Sequence, residues 1–213
     1  LNILEIVKEI NNKIKVFNAV SGQFYKNRKN NIYNEKSYIA PQSPYGVSKA
    51  SSFWLIKIFR EWYGIKCCSG IFFNHESPLR SNEFVTKKII NHCKLIKKGK
   101  LKHLYLGNIN IYRDWGWAPE YVEAMYLMLK QKDPKDLVIG SGKRYTLKSF
   151  IFEAFRLLKI PRNRLKANTK KLMRRKDIRS YRSDPGLAKK ILNWKAKTSF
   201  KKIIRKMIYD ELF

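Results

Sequence analysis

Residues 43–74 read SPYGVSKASSFWLIKIFREWYGIKCCSGIFFN. Ser43 offers a side-chain cap, Pro44 suits a first helical turn and Gly64 suits a stop, so the first two thirds predict one long helix. The remainder, IKCCSGIFFN, is a nearly unbroken apolar run of strand length, the pattern of a parallel strand buried on both faces. Upstream, IKVFNAV predicts a second strand of the same kind, and residues 1–10 a helix with Leu1, Leu4 and Ile10 among its apolar positions. Residues 24–42 are polar and irregular. Downstream, EFVTKKIINHCKLIKKG predicts a helix closed by Gly99. HLYLG predicts a short strand, and NINIYRDWGWAPEYVEAMYLMLKQ a loop running into a helix. DLVIG and TLKSFIFEAFRLLKI predict another strand and another helix. A very basic stretch spans 162–182, and two helices near 184–192 and 198–211 close the chain. Strands alternating with helices define an α/β chain with a mainly parallel sheet.

The 213 residues suit one domain or a domain and a half, and 44% hydrophobic and 14% aromatic content describe a folded chain. Apolar runs are short and interrupted, so no transmembrane helix is expected. The chain opens without Met inside a helical pattern, which suggests an N-terminally truncated sequence. The net charge of +30 has two readings, a nucleic-acid surface or a solvated coat. The 33 lysines against 13 arginines are spread along the whole chain. That dispersal favours the coat, makes nucleic acid an unexpected partner, and also suits a pyrophosphate-bearing substrate. Cys67, Cys68 and Cys93 have no metal-type spacing and form no even framework, so free thiols in a reducing cytoplasm are expected and no metal is.

Tyr45 and Lys49 are four apart and share a helix face. An ammonium beside a phenol favours the phenolate, and the pair then handles an alcohol proton as a general acid/base. Tyr25/Lys29 and Tyr126/Lys130 have the same spacing, so the pair is singled out by context. It occupies the first turn of a long helix, has the small neighbours Gly46, Ser48 and Ala50, and follows a strand ending in the hydroxyl of Ser21. Asn74, His75 and Glu76 follow the second strand at its carboxyl end, where open α/β sheets bind ligands. Arg113 is suited to a phosphate and is followed by Asp114. Arg174 and Asp177 stand in the basic stretch. IGSGKRY sets Gly140 and Gly142 between a strand and a helix, but Tyr145 takes the place of the third glycine that a dinucleotide loop needs.

In order along the chain, SPYGVSKASSFWLI, GIFFNHESPLR, EFVTKKI, YLGNINIYRDWGWAPEYVEAM, DLVIGSGKRYTLKSF and DPGLAKKILNWK resemble the extended short-chain dehydrogenase/reductase superfamily. Within it they resemble the GDP-mannose 4,6-dehydratase family. The resemblance implies a partial Rossmann-like parallel sheet, lacking its first βαβ units, with a smaller C-terminal mixed α/β lobe. Residues 1–76 would be the C-terminal part of the NADP-binding domain. Residues 77–213 would be the nucleotide-sugar lobe, interleaved with the last Rossmann elements. It also implies NADP as cofactor, a GDP-sugar as substrate, no membrane association, and a homo-dimer or tetramer built on the Tyr45 helix. In that helix Phe53, Trp54, Ile56 and Ile58 are apolar, whether as interface or as core.

By the same resemblance Tyr45 takes the O4 proton, Lys49 lowers its pKa and holds the nicotinamide ribose, and Ser21 bonds the same hydroxyl. His75 contacts the cofactor. Asn74, Val85, Lys88, Arg113, Arg174 and Asp177 hold the nucleotide and its phosphates. The family's C5 base is a Glu two residues after the Ser/Thr, and here that position is Gln23. The family's glycine-rich NADP loop falls upstream of Leu1. Gln23 leaves three functions open: a dehydratase impaired in its middle step, a 4-epimerase or reductase that needs no C5 base, and a non-catalytic nucleotide-sugar-binding remnant.

Overall fold

The computed structural model describes residues 1–26, 32–173 and 181–212. Helix α1 (Asn2–Ile10) leads to strand β1 (Val16–Ser21), a 3-10 turn (Gly22–Phe24) and strand β2 (Ile32–Tyr33). Helix α2 (Pro44–Tyr63) begins where the Ser43 Oγ accepts the Gly46 N–H and ends at Gly64, whose φ of 67° is the left-handed conformation glycine adopts freely. Then come β3 (Cys67–Phe72), β4 (Asn74–Glu76), α3 (Val85–Lys97), β5 (Leu104–Tyr105), β6 (Tyr112–Arg113), β7 (Trp115–Trp117) and α4 (Ala118–Lys130). The chain closes with β8 (Leu137–Ile139), β9 (Tyr145–Thr146), α5 (Leu147–Leu158), β10 (Leu165–Lys166), β11 (Arg182–Ser183), α6 (Gly186–Leu192) and α7 (Phe200–Tyr209).

The chain forms two compact units, one of Leu1–Phe73, Glu120–Gly142 and Arg182–Ala196, the other of Asn74–Pro119, Lys143–Tyr181 and Lys197–Phe213. In the first, β1, β3 and β8 form a parallel sheet in that order, with Val16 opposite Cys67 and Gly70 opposite Leu137. Side chains alternate across it. Cys67 packs with Leu4 and Val7 of α1 and with Ile56 and Phe59 of α2. Its neighbour Cys68 packs on the other face with Tyr121, Ala124 and Met128 of α4 and Ala188 and Leu192 of α6. The adjacent cysteines thus point to opposite faces, as strand geometry demands. Both thiols are free, and burial raises their pKa to about 11 and about 12.

β3 is buried throughout, as its unbroken apolar run predicts. β1 is not. It has the expected apolar character, but it lies at one edge of the sheet, and Ala19 is exposed. The other edge is covered by a side chain, since Glu35 Oε1 accepts the Val138 N–H at 2.7 Å. α1 forms as expected, and its buried apolar residues are Leu4 and Val7, while Leu1 and Ile10 are exposed. One further expectation is corrected. The irregular stretch 24–42 contributes to the core through Phe24, Tyr25 and Tyr33, the last two stacked 5.1 Å apart. α2 divides its apolar residues by helical phase. Phe53 and Ile56 are core, while Trp54 and Ile58 are exposed.

In the second unit α3, α5 and α7 enclose a core that includes Ile89, Ile90, Phe150, Ile151, Ile203 and Ile204. Trp115 of β7 lies against Phe200, which also stacks on Tyr145 at 4.0 Å. The short pairs are β4 with β7 and β5 with β10, both parallel, and β6 with β9, antiparallel. No helix among the described residues is long and apolar enough to cross a membrane.

Candidate active site

In the first unit, β1 ends at Ser21, and its Oγ accepts the Gln23 N–H at 3.3 Å, which turns the chain into the 3-10 segment. That turn lies against the first turn of α2. A Cβ on Gly46 would come 3.1 Å from the Gln23 carbonyl, so the absence of a side chain permits the approach. The space Gly46 leaves is therefore filled by Gln23, not kept open for a ligand, and Ala50 is buried. Tyr45 stands half-exposed on the outer side of the same turn. One helical turn on, the Lys49 ammonium donates to the Ala19 carbonyl at 3.0 Å and lies 5.8 Å from the Tyr45 ring centre.

A second tie runs parallel to the first. Asn18 Nδ2 donates to Ser52 Oγ (3.4 Å) and Ser69 Oγ (3.3 Å), and Ser52 Oγ donates to the Lys49 carbonyl at 3.0 Å. The strand's carboxyl end and the Tyr45–Lys49 face of the helix are thereby held at both the side chain and the backbone of Lys49. Spacing alone does not produce this. Lys130 approaches the Tyr126 ring more closely, at 4.6 Å, with both on an exposed helix face. The signal for Asn18 and Ser52 was their polarity on core-facing positions, since a polar group in an apolar layer is retained only when paired.

In the second unit, Asn74 and His75 follow β3. They form β4, with Asn74 opposite Trp115 and His75 opposite Gly116. Asn74 Oδ1 accepts a 2.6 Å hydrogen bond from the hydroxyl of Tyr181. The Arg113 guanidinium lies 5.5 Å from the Tyr181 ring centre. Tyr181 thus joins two of the expected substrate residues, although nothing in its local sequence distinguishes it from other tyrosines. Val85 and Lys88 share a face of α3, and Lys88 lines a cavity of about 300 Å³ with His92, Leu101, Lys102, His103, Tyr105 and Leu172. Arg174 and Asp177 lie outside the described residues. The Gly140–Gly142 segment is no phosphate cradle, because the Gly142 N–H donates to Ser183 Oγ at 3.0 Å.

Glu76, at the end of β4, is fully buried. Its Oε2 accepts from Thr86 Oγ1 at 2.7 Å and lies 3.5 Å from Arg80 Nε, while Oε1 has no hydrogen-bond partner among the described residues. Burial pushes its carboxyl up to about 7, against the opposing pull of Arg80 and Thr86. The folded protein therefore holds this proton more tightly than the unfolded chain. The resulting stabilisation is complete below the ordinary carboxyl pKa of about 4.3 and is lost as pH rises through about 7. Glu76→Gln removes the titration, so its melting temperature should vary less with pH between about 4 and 7 than that of the parent protein. Parallel curves would place the shifted group elsewhere.

Solved structures of other proteins share this architecture. The protein RMD of Pseudomonas aeruginosa, solved with NADPH, superposes with a TM-score of 0.89 at 20% identity, over 98% of this chain and 70% of its own. A dTDP-glucose 4,6-dehydratase of Bacillus anthracis, solved with NAD, gives 0.87 at 21% identity, over 97% and 64%. The class is a Rossmann-type α/β fold. The family profile for GDP-mannose 4,6 dehydratase matches residues 1–207. GDP-mannose 4,6 dehydratases of Dictyostelium discoideum and Arabidopsis thaliana are 34% and 36% identical to this chain across its whole length. The chain belongs to the GDP-mannose 4,6-dehydratase family. It spans 65% and 60% of the lengths of those two relatives.

Proposed function

We propose that the polypeptide binds a GDP-linked hexose, with GDP-mannose as substrate, and carries the groups for its oxidation at C4, while Gln23 impairs the elimination that follows. The observation that carries this reading is the anchored Tyr45–Lys49 pair at the carboxyl end of β1, beside Ser21. Ser21 bonds the O4 hydroxyl and Tyr45 removes its proton. Lys49, with one of its three N–H donors on Ala19, has donors left for the Tyr45 oxygen and for a ribose. That arrangement fits the nicotinamide end of NADP, and His75 is a second contact. A nicotinamide supplies the hydride acceptor for C4 and the hydride donor for C6. The diphosphate is held by Asn74 and Arg113, and Val85, Lys88, Arg174 and Asp177 complete the site for the nucleotide.

In the complete dehydration a base removes the C5 proton made acidic by the C4 ketone, water leaves from C6, and GDP-4-keto-6-deoxymannose results. An amide at Gln23 has no basicity for the C5 step. Association of several copies is part of the same reading, supported by Val47, Trp54, Ile58 and Trp62 exposed along one side of α2.

The test uses the polypeptide together with any coding sequence contiguous with it, incubated with GDP-mannose and NADP in deuterated water. Growth of NADPH absorbance with no deuterium entering C5 is the expected result. Efficient formation of the 4-keto-6-deoxy sugar would remove the role given to Gln23, and absence of GDP-mannose binding would remove the whole reading. Gln23 also suits a 4-epimerase, and inversion at C4 without loss of water in the same incubation would identify one.

A further inference from the structure

Tyr181 is nearly fully buried, its hydroxyl bonds to Asn74 and its ring lies beside Arg113. We propose that Tyr181 is a positioning residue for the diphosphate of the ligand, acting through Asn74 and Arg113. This rests on the reading of those two residues given above.

The argument begins with the Asn74 amide, which has one acceptor oxygen and two N–H donors. Its oxygen is taken by the Tyr181 hydroxyl at 2.6 Å, a short bond from a buried donor. The amide is thereby oriented, and Nδ2 makes no hydrogen bond to the described residues. What remains for a ligand is a pair of donors, which suits phosphate oxygens. Without the Tyr181 hydroxyl the amide is free to reverse, and the carbonyl it then offers repels an anion. The Tyr181 ring acts on the second residue. Arg113 lies at cation–π distance from its face, and the same guanidinium donates to the Tyr112 carbonyl at 2.8 Å. One buried side chain thus sets the direction of a neutral donor and the place of a charged one. Both are needed by a diphosphate and neither by the nucleoside alone.

β4 contributes the remaining order. Asn74 pairs with Trp115 in the parallel β4–β7 ladder, so its backbone is fixed and only the side-chain torsions remain to be set. A site built on strands with its polar groups locked by neighbours loses little entropy when it binds.

Binding of GDP and of guanosine to the intact polypeptide, each measured by calorimetry, separates the phosphate contribution from the base contribution. Tyr181→Phe keeps the ring beside Arg113 and removes the bond to Asn74. It should weaken GDP roughly 5- to 10-fold, the worth of one hydrogen bond, and leave guanosine unchanged. Asn74→Ala should weaken GDP to a similar extent, and the double variant should be no weaker than Asn74→Ala alone. Additive losses, or equal losses for GDP and guanosine, would overturn the assignment of Tyr181. An Asn74→Ala protein that binds GDP normally would overturn the reading of Asn74 first, and the inference with it. Asn74→Asp gives an independent check that leaves Tyr181 intact. It keeps an acceptor for the hydroxyl but turns the second oxygen on the phosphates, so GDP binding should fall further than in Asn74→Ala while guanosine binding holds.

Discussion

Gln23→Glu should raise formation of the 4-keto-6-deoxy sugar by about 10²–10⁴, the usual contribution of a positioned general base. The substitution is nearly isosteric. The backbone of residue 23 is already fixed, its N–H by Ser21 Oγ and its carbonyl by the close approach of Gly46. The side chain is partly exposed, so a carboxylate there does not have to be desolvated in full. The strand and helix that carry Ser21, Tyr45 and Lys49 should therefore keep their places, and the change should act on the C5 step alone. Two measurements separate this from a general improvement. Deuterium from solvent should appear at C5 only in Gln23→Glu, and the rate of NADPH formation from GDP-mannose should stay within a few-fold of the parent protein. Unchanged dehydration alongside normal C4 oxidation would show that the base lies elsewhere.

Asp136→Ala should be the most damaging single change to stability. Arg60 and Asp136 pair bidentately, with NH1 to Oδ1 at 3.0 Å and NH2 to Oδ2 at 2.6 Å, and both side chains are mostly buried. The same Oδ1 accepts the Ser69 N–H at 2.7 Å, and the same NH1 donates to the Cys67 carbonyl at 2.9 Å. β3 pairs with β8 only from Gly70 onward, so this ion pair takes over where the ladder stops. Truncating the acid leaves a guanidinium and a strand N–H without their acceptor, a loss of about 3 kcal/mol. For a chain of this size that lowers the melting temperature by roughly 6–12 °C. Replacing both partners, as in Arg60→Met with Asp136→Leu, should recover much of the loss, because the penalty comes from the stranded charge more than from the missing attraction. A double variant as unstable as the single one would contradict that account.

The two substitutions differ in how far their reasons could be seen in advance. The role proposed for residue 23 follows from order along the chain. Ser21 ends a strand, Gln23 lies two residues on and the Tyr45 helix follows, so family resemblance was enough to propose Gln23 and the other site positions of the strand end. The α/β class, the capped helix from Ser43 to Gly64, the buried β3 and the opposed thiols of Cys67 and Cys68 were legible for a related reason. Each depends on periodicity, caps or the alternation of a strand, all set by near neighbours. Asp136 gave no such signal. Its partner is Arg60, far away in sequence, and an Asp before a short strand reads as a turn residue until the fold brings the guanidinium to it.

The same distinction holds at the candidate site. Local order placed Ser21, Gln23, Tyr45 and Lys49 on one strand end and one helix face. It did not show that Lys49 would spend a donor on Ala19, that Asn18 and Ser52 would brace it, or that Gly46 would be filled by a carbonyl. The sequence by itself determined the fold class, the family and the chemistry available at each position, because those depend on residue type and short spacing. The tertiary structure alone decided the partners of Asp136, Glu76 and Tyr181. Those contacts join residues from ten to more than a hundred positions apart, and their energy depends on burial that only the packed chain creates.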